Sequence, residues 1–407
     1  MSAWVGATRL AGVRGLLAML PQPRSLLAHL GAQLRVGHLR VVTPGGEAMN
    51  FIGSAPGPEA TLVLQRWRTL RRLLRDGDIG LAEAYMDGDW SSPDVAALIE
   101  FGARNDDALA PVIDGIAPLR LLRRLRHRLR ANTRAGSRRN IIEHYDLGND
   151  FYAAWLDRGM SYSAALYTGA GQSLEDAQRA KQDRVVELLA PEAGHRVLEI
   201  GCGWGGLIRY IVARSGAGVT GITLSPAQHA YARDALADLP GAEVRLQDYR
   251  EVMGTYDRIV SIEMIEAVGE AYWPIYFATL KARLAPGGVA VLQAITIDRR
   301  RFESYRAATD FIQRYIFPGG MLPTTALLRE QVEAAGLRLL ESQRFGEGYA
   351  RTLAEWNRRF QAAWPEIAAM GFPERFRRMW EYYLLYCEAG FRAGAIDVGL
   401  YRIEHAR

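Results

Sequence analysis

The stretch V-L-E-I-G-C-G-W-G-G-L at residues 197–207 places Gly201, Gly203, Gly205 and Gly206 directly behind an apolar run whose one acid is Glu199. Glycine accepts positive φ and lets a ligand approach the backbone closely. The stretch therefore reads as a strand followed by a turn into a helix, and the turn as either a tight corner or a nucleotide cradle. A dinucleotide site would require G-x-G-x-x-G and a carboxylate for the ribose about 20 residues further on. The spacing from Gly201 is instead G-x-G-x-G-G, and the next apolar run ends in Thr223-Leu224-Ser225-Pro226 without a carboxylate. A dinucleotide is disfavoured.

Outward from this turn, strand-like and helix-like segments alternate. R-V-L-E-I is followed by a helix to residue 214, G-V-T-G-I-T-L by a helix to 239, and A-E-V-R-L by D-R-I-V-S-I. A helix over 272–284 and V-A-V-L-Q-A-I then follow. This order predicts an α/β fold with a doubly wound, mainly parallel sheet and ligands beyond the carboxyl ends of its strands. After residue 300 the alternation stops, and the segment to about 325 and the aromatic-rich tail after 345 read as a helical cover. Residues 1–139 hold a strand near residue 41, a helix over 60–74 and another over 93–101, and read as a smaller accessory domain ending where the catalytic domain, 140–407, begins.

At 407 residues and 49% hydrophobic content the chain can bury a sizeable core. Its two cysteines, Cys202 and Cys387, are far apart and form no C-x-x-C pair, which excludes a disulfide framework or a thiolate zinc site and fits a reducing cytoplasm. No metal site is expected. The first 30 residues show no cleavage pattern, and no apolar run reaches the roughly 20 residues of a membrane span, so any membrane contact would be peripheral. Charge is uneven: residues 118–140 carry nine arginines and no acid in a chain of net charge +5. Leu119, Leu122, Leu125 and Leu129 recur there at helical spacing. This basic amphipathic helix is either a surface helix with its leucines in the core or a membrane-docking element, each arginine near anionic headgroups contributing about 1 kcal/mol. Nucleic acid is not expected, because no recognition motif or stacking aromatics accompany the arginines.

The turn E-x-G-C-G-x-G resembles that of S-adenosylmethionine-dependent methyltransferases of class I, which are Rossmann-like. The resemblance implies that Glu199, Gly201 and Gly203 pack against the amino-acid end of S-adenosylmethionine, with Tyr162, Ser163, Thr223, Leu224, Gln228, Asp248 and Tyr249 as further partners. An ordered set of segments sharpens this. N-I-I-E-H-Y-D-L-G-N-D-F-Y (140–152), G-M-S-Y-S-A-A-L-Y (159–167), G-I-T-L-S-P-A-Q (221–228), I-E-M-I-E-A-V-G (262–269), R-Y-I-F-P-G-G-M-L-P (314–323) and F-x-A-A-W-P-E-I (360–367) resemble the cyclopropane fatty acid synthase family, including its mycolic-acid methyltransferases. The likeness is dense over 140–395. In the first domain G-D-I-G-L-A-E-A-Y-M-D-G-D-W (77–90) is similar to the longer, phospholipid-acting members.

The resemblance implies a chemistry. Its substrate is a cis double bond in a phospholipid acyl chain, and methyl transfer to this weak nucleophile leaves a carbocation that aromatic faces can stabilise by about 0.5 to 2 kcal/mol each. Tyr145, Tyr162, Tyr167, Phe317 and Tyr349 are candidates for that lining, or ordinary core aromatics. A bound bicarbonate is the implied general base, held by Glu266, Tyr349 and the backbone of Ile262. Three departures stand out: the usual Cys after Y-S is Ala164, the usual His after the glutamate is Ala267, and the usual His of the next strand end is Gln293. Gln293 can donate a hydrogen bond but cannot titrate near neutral pH.

The expected product is a cyclopropane fatty acid. Proton loss from a neighbouring chain carbon would give a methylene- or methyl-branched acid instead, for a downstream reductase or desaturase to process. The expected setting is cytoplasmic and peripheral on the inner face of the membrane, with unsaturated phospholipid as partner and a homodimer as the assembly. A small-molecule methyltransferase and a lipid-binding protein without catalysis are the rival readings.

Overall fold

The computed structural model describes residues 23–113 and 147–406. The basic segment 118–140, Tyr145 and the expected 139/140 boundary lie outside the described residues. Contacts divide the chain into one compact unit within residues 1–117 and another within 118–407.

The first unit is built on a four-stranded sheet of order β2-β1-β3-β4, formed by Val36–Val42 (β1), Ala48–Ile52 (β2), Ala55–Leu64 (β3) and Trp90–Ser91 (β4). Residues 60–64 thus belong to β3 and not to the expected helix over 60–74. A-T-L-V-L carries the β-branched Thr61 and Val63 and is partly to fully buried along its length, which suits a strand packed in a sheet. The helix starts only at Arg68 and runs to Met86, broken at Gly77 where φ is 63°. Its end folds over Asp89, whose fully buried carboxylate takes Arg66 at 3.1 Å and Arg68 at 2.5 Å. The expected helix over 93–101 is Val95–Arg104, with Asp94 capping the Ala97 N–H at 2.8 Å.

The second unit carries a seven-stranded sheet of order β10-β11-β9-β8-β5-β6-β7. Its strands are Arg196–Ile200 (β5), Gly218–Thr223 (β6), Ala242–Leu246 (β7), Tyr256–Ile262 (β8), Leu284–Ile297 (β9), Leu337–Arg344 (β10) and Ile396–His405 (β11). β5 to β9 are mutually parallel, as expected. Val197, Val260 and Val291 pack with Val185 and Ile208 on one face, while Leu198, Ile259 and Leu292 pack with Tyr276 and Phe277 on the other. This is a sheet buried on both sides by helices. The chain winds outward from β5 to β7, then returns to β8 beside β5. The order therefore reverses at the carboxyl ends of β5 and β8, where a crevice opens in such sheets.

The tail after 345 is not purely helical cover. β11 inserts antiparallel between β9 and β10, with Leu400 opposite Gln293. As an interior strand it buries Val398, Leu400, Tyr401 and Ile403 at once, so its run lacks the alternation of a half-exposed strand. Among the described residues no helix is long and apolar enough to cross a membrane.

Candidate active site

The four-glycine turn leaves β5 with φ of 82° at Gly201, 53° at Gly203 and 84° at Gly205. The N–H groups of Gly201 and Cys202 both donate to the Ile222 carbonyl at 3.0 Å, tying the turn to β6. The glycines serve two purposes. A side chain at Gly205 would strike Leu236 at 2.8 Å and one at Gly206 the Gly159 carbonyl at 2.6 Å, so those two let the helix pack. At Gly203 nothing lies within 4 Å, so the turn is open there.

Beside that opening, Glu199 is buried and its Oε2 has no partner. Burial pushes its carboxyl up to about 8, with the Lys181 charge pulling the other way. An open glycine turn next to an unpaired buried acid fits a ligand that carries an ammonium and lies close to the backbone, as S-adenosylmethionine does. On β6, Thr223 Oγ1 donates to Gln228 Oε1 at 2.8 Å and accepts the Ser225 N–H at 3.1 Å, with Leu224 half-buried between them. After β7, Asp248 accepts two bonds from the Arg250 guanidinium, at 2.8 and 2.5 Å. Tyr249 packs edge-on to Tyr276, and burial pushes its phenol up to about 12.

The second centre forms at the end of β8. Ile262 pairs in register with Gln293, and the next residue, Glu263, takes a left-handed φ of 50° with its N–H on the Gln293 carbonyl at 2.8 Å. Its carboxylate then accepts three bonds. Oε1 takes the Ala164 N–H at 2.8 Å and Gln293 Nε2 at 2.7 Å, and Oε2 takes the Tyr349 hydroxyl at 2.7 Å. The structure thus gathers Ala164, Gln293 and Tyr349 as the sequence suggested, yet around Glu263, a residue not among the expected ones. Burial raises Glu263, while the Tyr349, Ala164 and Gln293 bonds and the Lys181 charge hold it down.

Glu266 sits apart from that cluster of bonds. Its Oε1 accepts the Ile295 N–H at 2.6 Å, and its buried Oε2 has no partner. Burial, then the charge of Glu263, push it up to about 8. Ala267 follows in the same short helix, Ile265–Val268. Of the residues expected to hold bicarbonate, Tyr349 gives its hydroxyl to Glu263, as do the neighbouring Ala164 N–H and Gln293 amide, so this donor set does not fit a bound bicarbonate beside that carboxylate.

Lys181 is the other residue the sequence reading missed. It is buried, donates to Ser163 Oγ at 2.7 Å, and its charge is attracted by Glu263, Asp157 and Glu199, against burial that lowers it. Gln178 Nε2 holds the Ser163 carbonyl at 2.9 Å. A signal for it existed: Leu174, Ala177, Lys181, Val185 and Leu188 share the buried stripe of one helix, and a lysine in such a stripe needs acidic company.

Aromatic rings gather on the same side. Tyr162 shares a hydroxyl bond with Tyr383 at 2.8 Å and lies 5.3 Å from the Trp356 ring and 5.8 Å from Trp155. Trp356 also meets Tyr349 edge-on at 6.1 Å, and Phe317 meets Tyr383 at 6.2 Å. Tyr162, Phe317 and Tyr349 are therefore linked in one aromatic group. Tyr167 is not among those rings: Arg351 lies over its face at 3.8 Å.

Comparison with known proteins follows the same lines. The family described as mycolic acid cyclopropane synthetase matches residues 132–400. The chain is 41% identical to the tuberculostearic acid methyltransferase of Mycobacterium tuberculosis, over 88% of this chain and 86% of that protein. It is 35% identical to the cyclopropane-fatty-acyl-phospholipid synthase of Escherichia coli, over 90% and 92%. Among solved structures, a mycolic acid cyclopropane synthase complexed with SAH and CTAB superposes with a TM-score of 0.62 at 30% identity, covering 65% of this chain and 97% of that one.

Proposed function

The chain belongs to the mycolic acid cyclopropane synthetase family, as an S-adenosylmethionine-dependent methyltransferase, and on that premise we propose that it methylates the cis double bond of unsaturated acyl chains in membrane phospholipids, giving a cyclopropane. The observation that carries this reading is the carboxylate of Glu263, bonded to Tyr349, whose ring joins Trp356 and Tyr162. Alkylating an alkene needs both an aromatic surface to stabilise a carbocation and a base to end it, and the two adjoin here.

When bound, S-adenosylmethionine supplies an electrophilic methyl group. The turn at Gly201 and Gly203 would hold the donor, and Glu199 would receive its ammonium. Tyr162, Trp356 and Tyr349 present π faces and edges that exclude water. The cation then loses a proton to a carboxylate of the site, and loss from the new methyl group closes the three-membered ring.

A branched product is the second reading, favoured by Gln293, which has no titratable ring beside the base, and by the 41% identity to a tuberculostearic acid methyltransferase. Proton loss from a neighbouring chain carbon gives the methylene branch, which a separate reductase would saturate. The phospholipid assignment is supported by the arginine-rich segment 118–140, suited to an anionic bilayer surface on the cytoplasmic side.

Purified protein given liposomes of mono-unsaturated or fully saturated phospholipid tests the proposal. S-adenosylhomocysteine release is expected with the unsaturated lipid alone, and mass spectrometry of the lipids reads ring against branch. Release with saturated liposomes, or with a small polar acceptor and neither lipid, overturns it. Replacing Arg120, Arg123, Arg124 and Arg128 by Gln should reduce flotation with anionic vesicles, and flotation indifferent to the change removes the docking role.

A further inference from the structure

We propose that the side chain of Glu263 is the proton acceptor of this enzyme and fills the place of a bound bicarbonate, so that turnover needs no free anion; this rests on the alkene-methylation reading. Three donors from three separate segments converge on that carboxylate: the Ala164 N–H from the loop after residue 159, Gln293 Nε2 from β9 and the Tyr349 hydroxyl from the helix Gly346–Ala362. A carboxylate and a bicarbonate both offer a planar pair of oxygens, so one donor set serves either, but not both together.

The local backbone agrees. Glu263 is held at φ 50°, a conformation that favours glycine, and three side-chain bonds together with its own N–H on Gln293 keep it there. The departure at Gln293 then makes sense, because its side chain contributes an N–H that never ionises to Glu263 Oε1, beside the backbone N–H of Ala164 that any residue but proline would offer there. Such donors favour a resident carboxylate in its charged, proton-accepting form. Burial still leaves the Glu263 carboxyl raised overall, and Lys181 adds a cation that, with the three bonds, works against that rise; Glu266 is itself pushed up to about 8 by burial and then by the Glu263 charge.

The step balances without a co-reactant. A C–H bond of the methylated cation breaks, its electron pair becomes the new ring bond or the new double bond, and the proton goes to a carboxylate oxygen of Glu263. It leaves to solvent when the product departs.

Two variants test this in carbon-dioxide-depleted buffer, with ¹³C-labelled bicarbonate as probe. Wild-type turnover on unsaturated phospholipid should be indifferent to added bicarbonate. Glu263→Gln keeps the bulk but cannot accept the proton, so turnover should fall about 100-fold or more, with S-adenosylmethionine affinity retained and no rescue. Glu263→Gly takes the left-handed φ without strain, so it should fold. It should be as slow in depleted buffer, recover saturably as bicarbonate is added, and bind ¹³C-bicarbonate in the absence of lipid. Wild-type turnover that depends on bicarbonate, or a Glu263→Gln enzyme with full turnover, overturns the proposal. Wild-type protein inert towards every unsaturated phospholipid would fell the functional reading and the base with it. The binding arm would still report separately: bicarbonate bound by the wild type refutes the occupancy, and bicarbonate bound by the glycine variant alone supports it.

Discussion

Tyr349→Phe removes one oxygen from the centre and leaves its packing. The ring lies 4.6 Å from Phe391 and 6.1 Å from Trp356, contacts a phenylalanine repeats. What is lost is the 2.7 Å bond to Glu263 Oε2. A hydrogen bond to a charged group contributes about 1.5 to 3 kcal/mol, and one pH unit corresponds to about 1.4 kcal/mol. The hydroxyl favours the ionised acid, so without it the Glu263 pKa rises by about 1 to 2 units. A general base works when ionised, and activity is gained as pH rises through its pKa. The acid limb of the pH profile of kcat/KM for S-adenosylhomocysteine release should therefore move up by that amount, with turnover largely recovered well above it. Calorimetric affinity for S-adenosylmethionine should hold throughout. An acid limb that stays in place while the rate falls equally at every pH would refute the claim that Tyr349 acts through the ionisation of Glu263.

Two further outcomes are expected. Gly203→Val should fold yet lose S-adenosylmethionine binding in calorimetry, since its side chain would enter the open side of the turn and a β-branched residue at φ 53° adds about 1 to 2 kcal/mol of strain; undiminished affinity would remove this turn from the cofactor site. Glu266 is raised from 4.5 to about 8 in the folded protein, so its contribution to stability is fully present below 4.5 and is lost by about 1.4 kcal/mol per pH unit as pH rises towards 8. Glu266→Gln lacks that term, and the melting temperature of the wild type relative to it should fall steadily from pH 5 to pH 8; a constant difference would show that Glu266 is already ionised when folded.

The sheet was legible because its signals are local. The glycines after R-V-L-E-I and the apolar runs that follow each specify a strand and its exit, and the order of runs dictates where the winding reverses. β11 was not legible as a strand, since it returns antiparallel after the long helix Glu374–Arg392 and stands outside the strand–helix alternation that announces β5 to β9. Residues 60–64 failed for a different reason: β-branched residues that suit a strand sit immediately before a helix that only begins at Arg68. At the site, Ala164, Gln293 and Tyr349 were found as positions, but the group they serve was not. Glu263 lies three residues before Glu266 in I-E-M-I-E, and only the left-handed turn at its own backbone aims it at those donors while Glu266 turns to the Ile295 N–H. Neither periodicity nor spacing carries that dihedral.

The placement of β11 also governs when the enzyme can exist at all. The strand that comes after every other described strand of the sheet inserts second from its edge, pairing Leu400 with Gln293 on one side and holding the edge strand β10 on the other. During synthesis the cofactor turn and β5 to β9 can associate early, but β9 then presents a bare edge and β10 has no strand to join. Such an edge invites pairing with another chain. A nascent or clipped protein lacking residues 396–405 would therefore not be a slow enzyme; it would be an incomplete sheet with an adhesive flank, and its fate would be set by aggregation and quality control before chemistry became relevant.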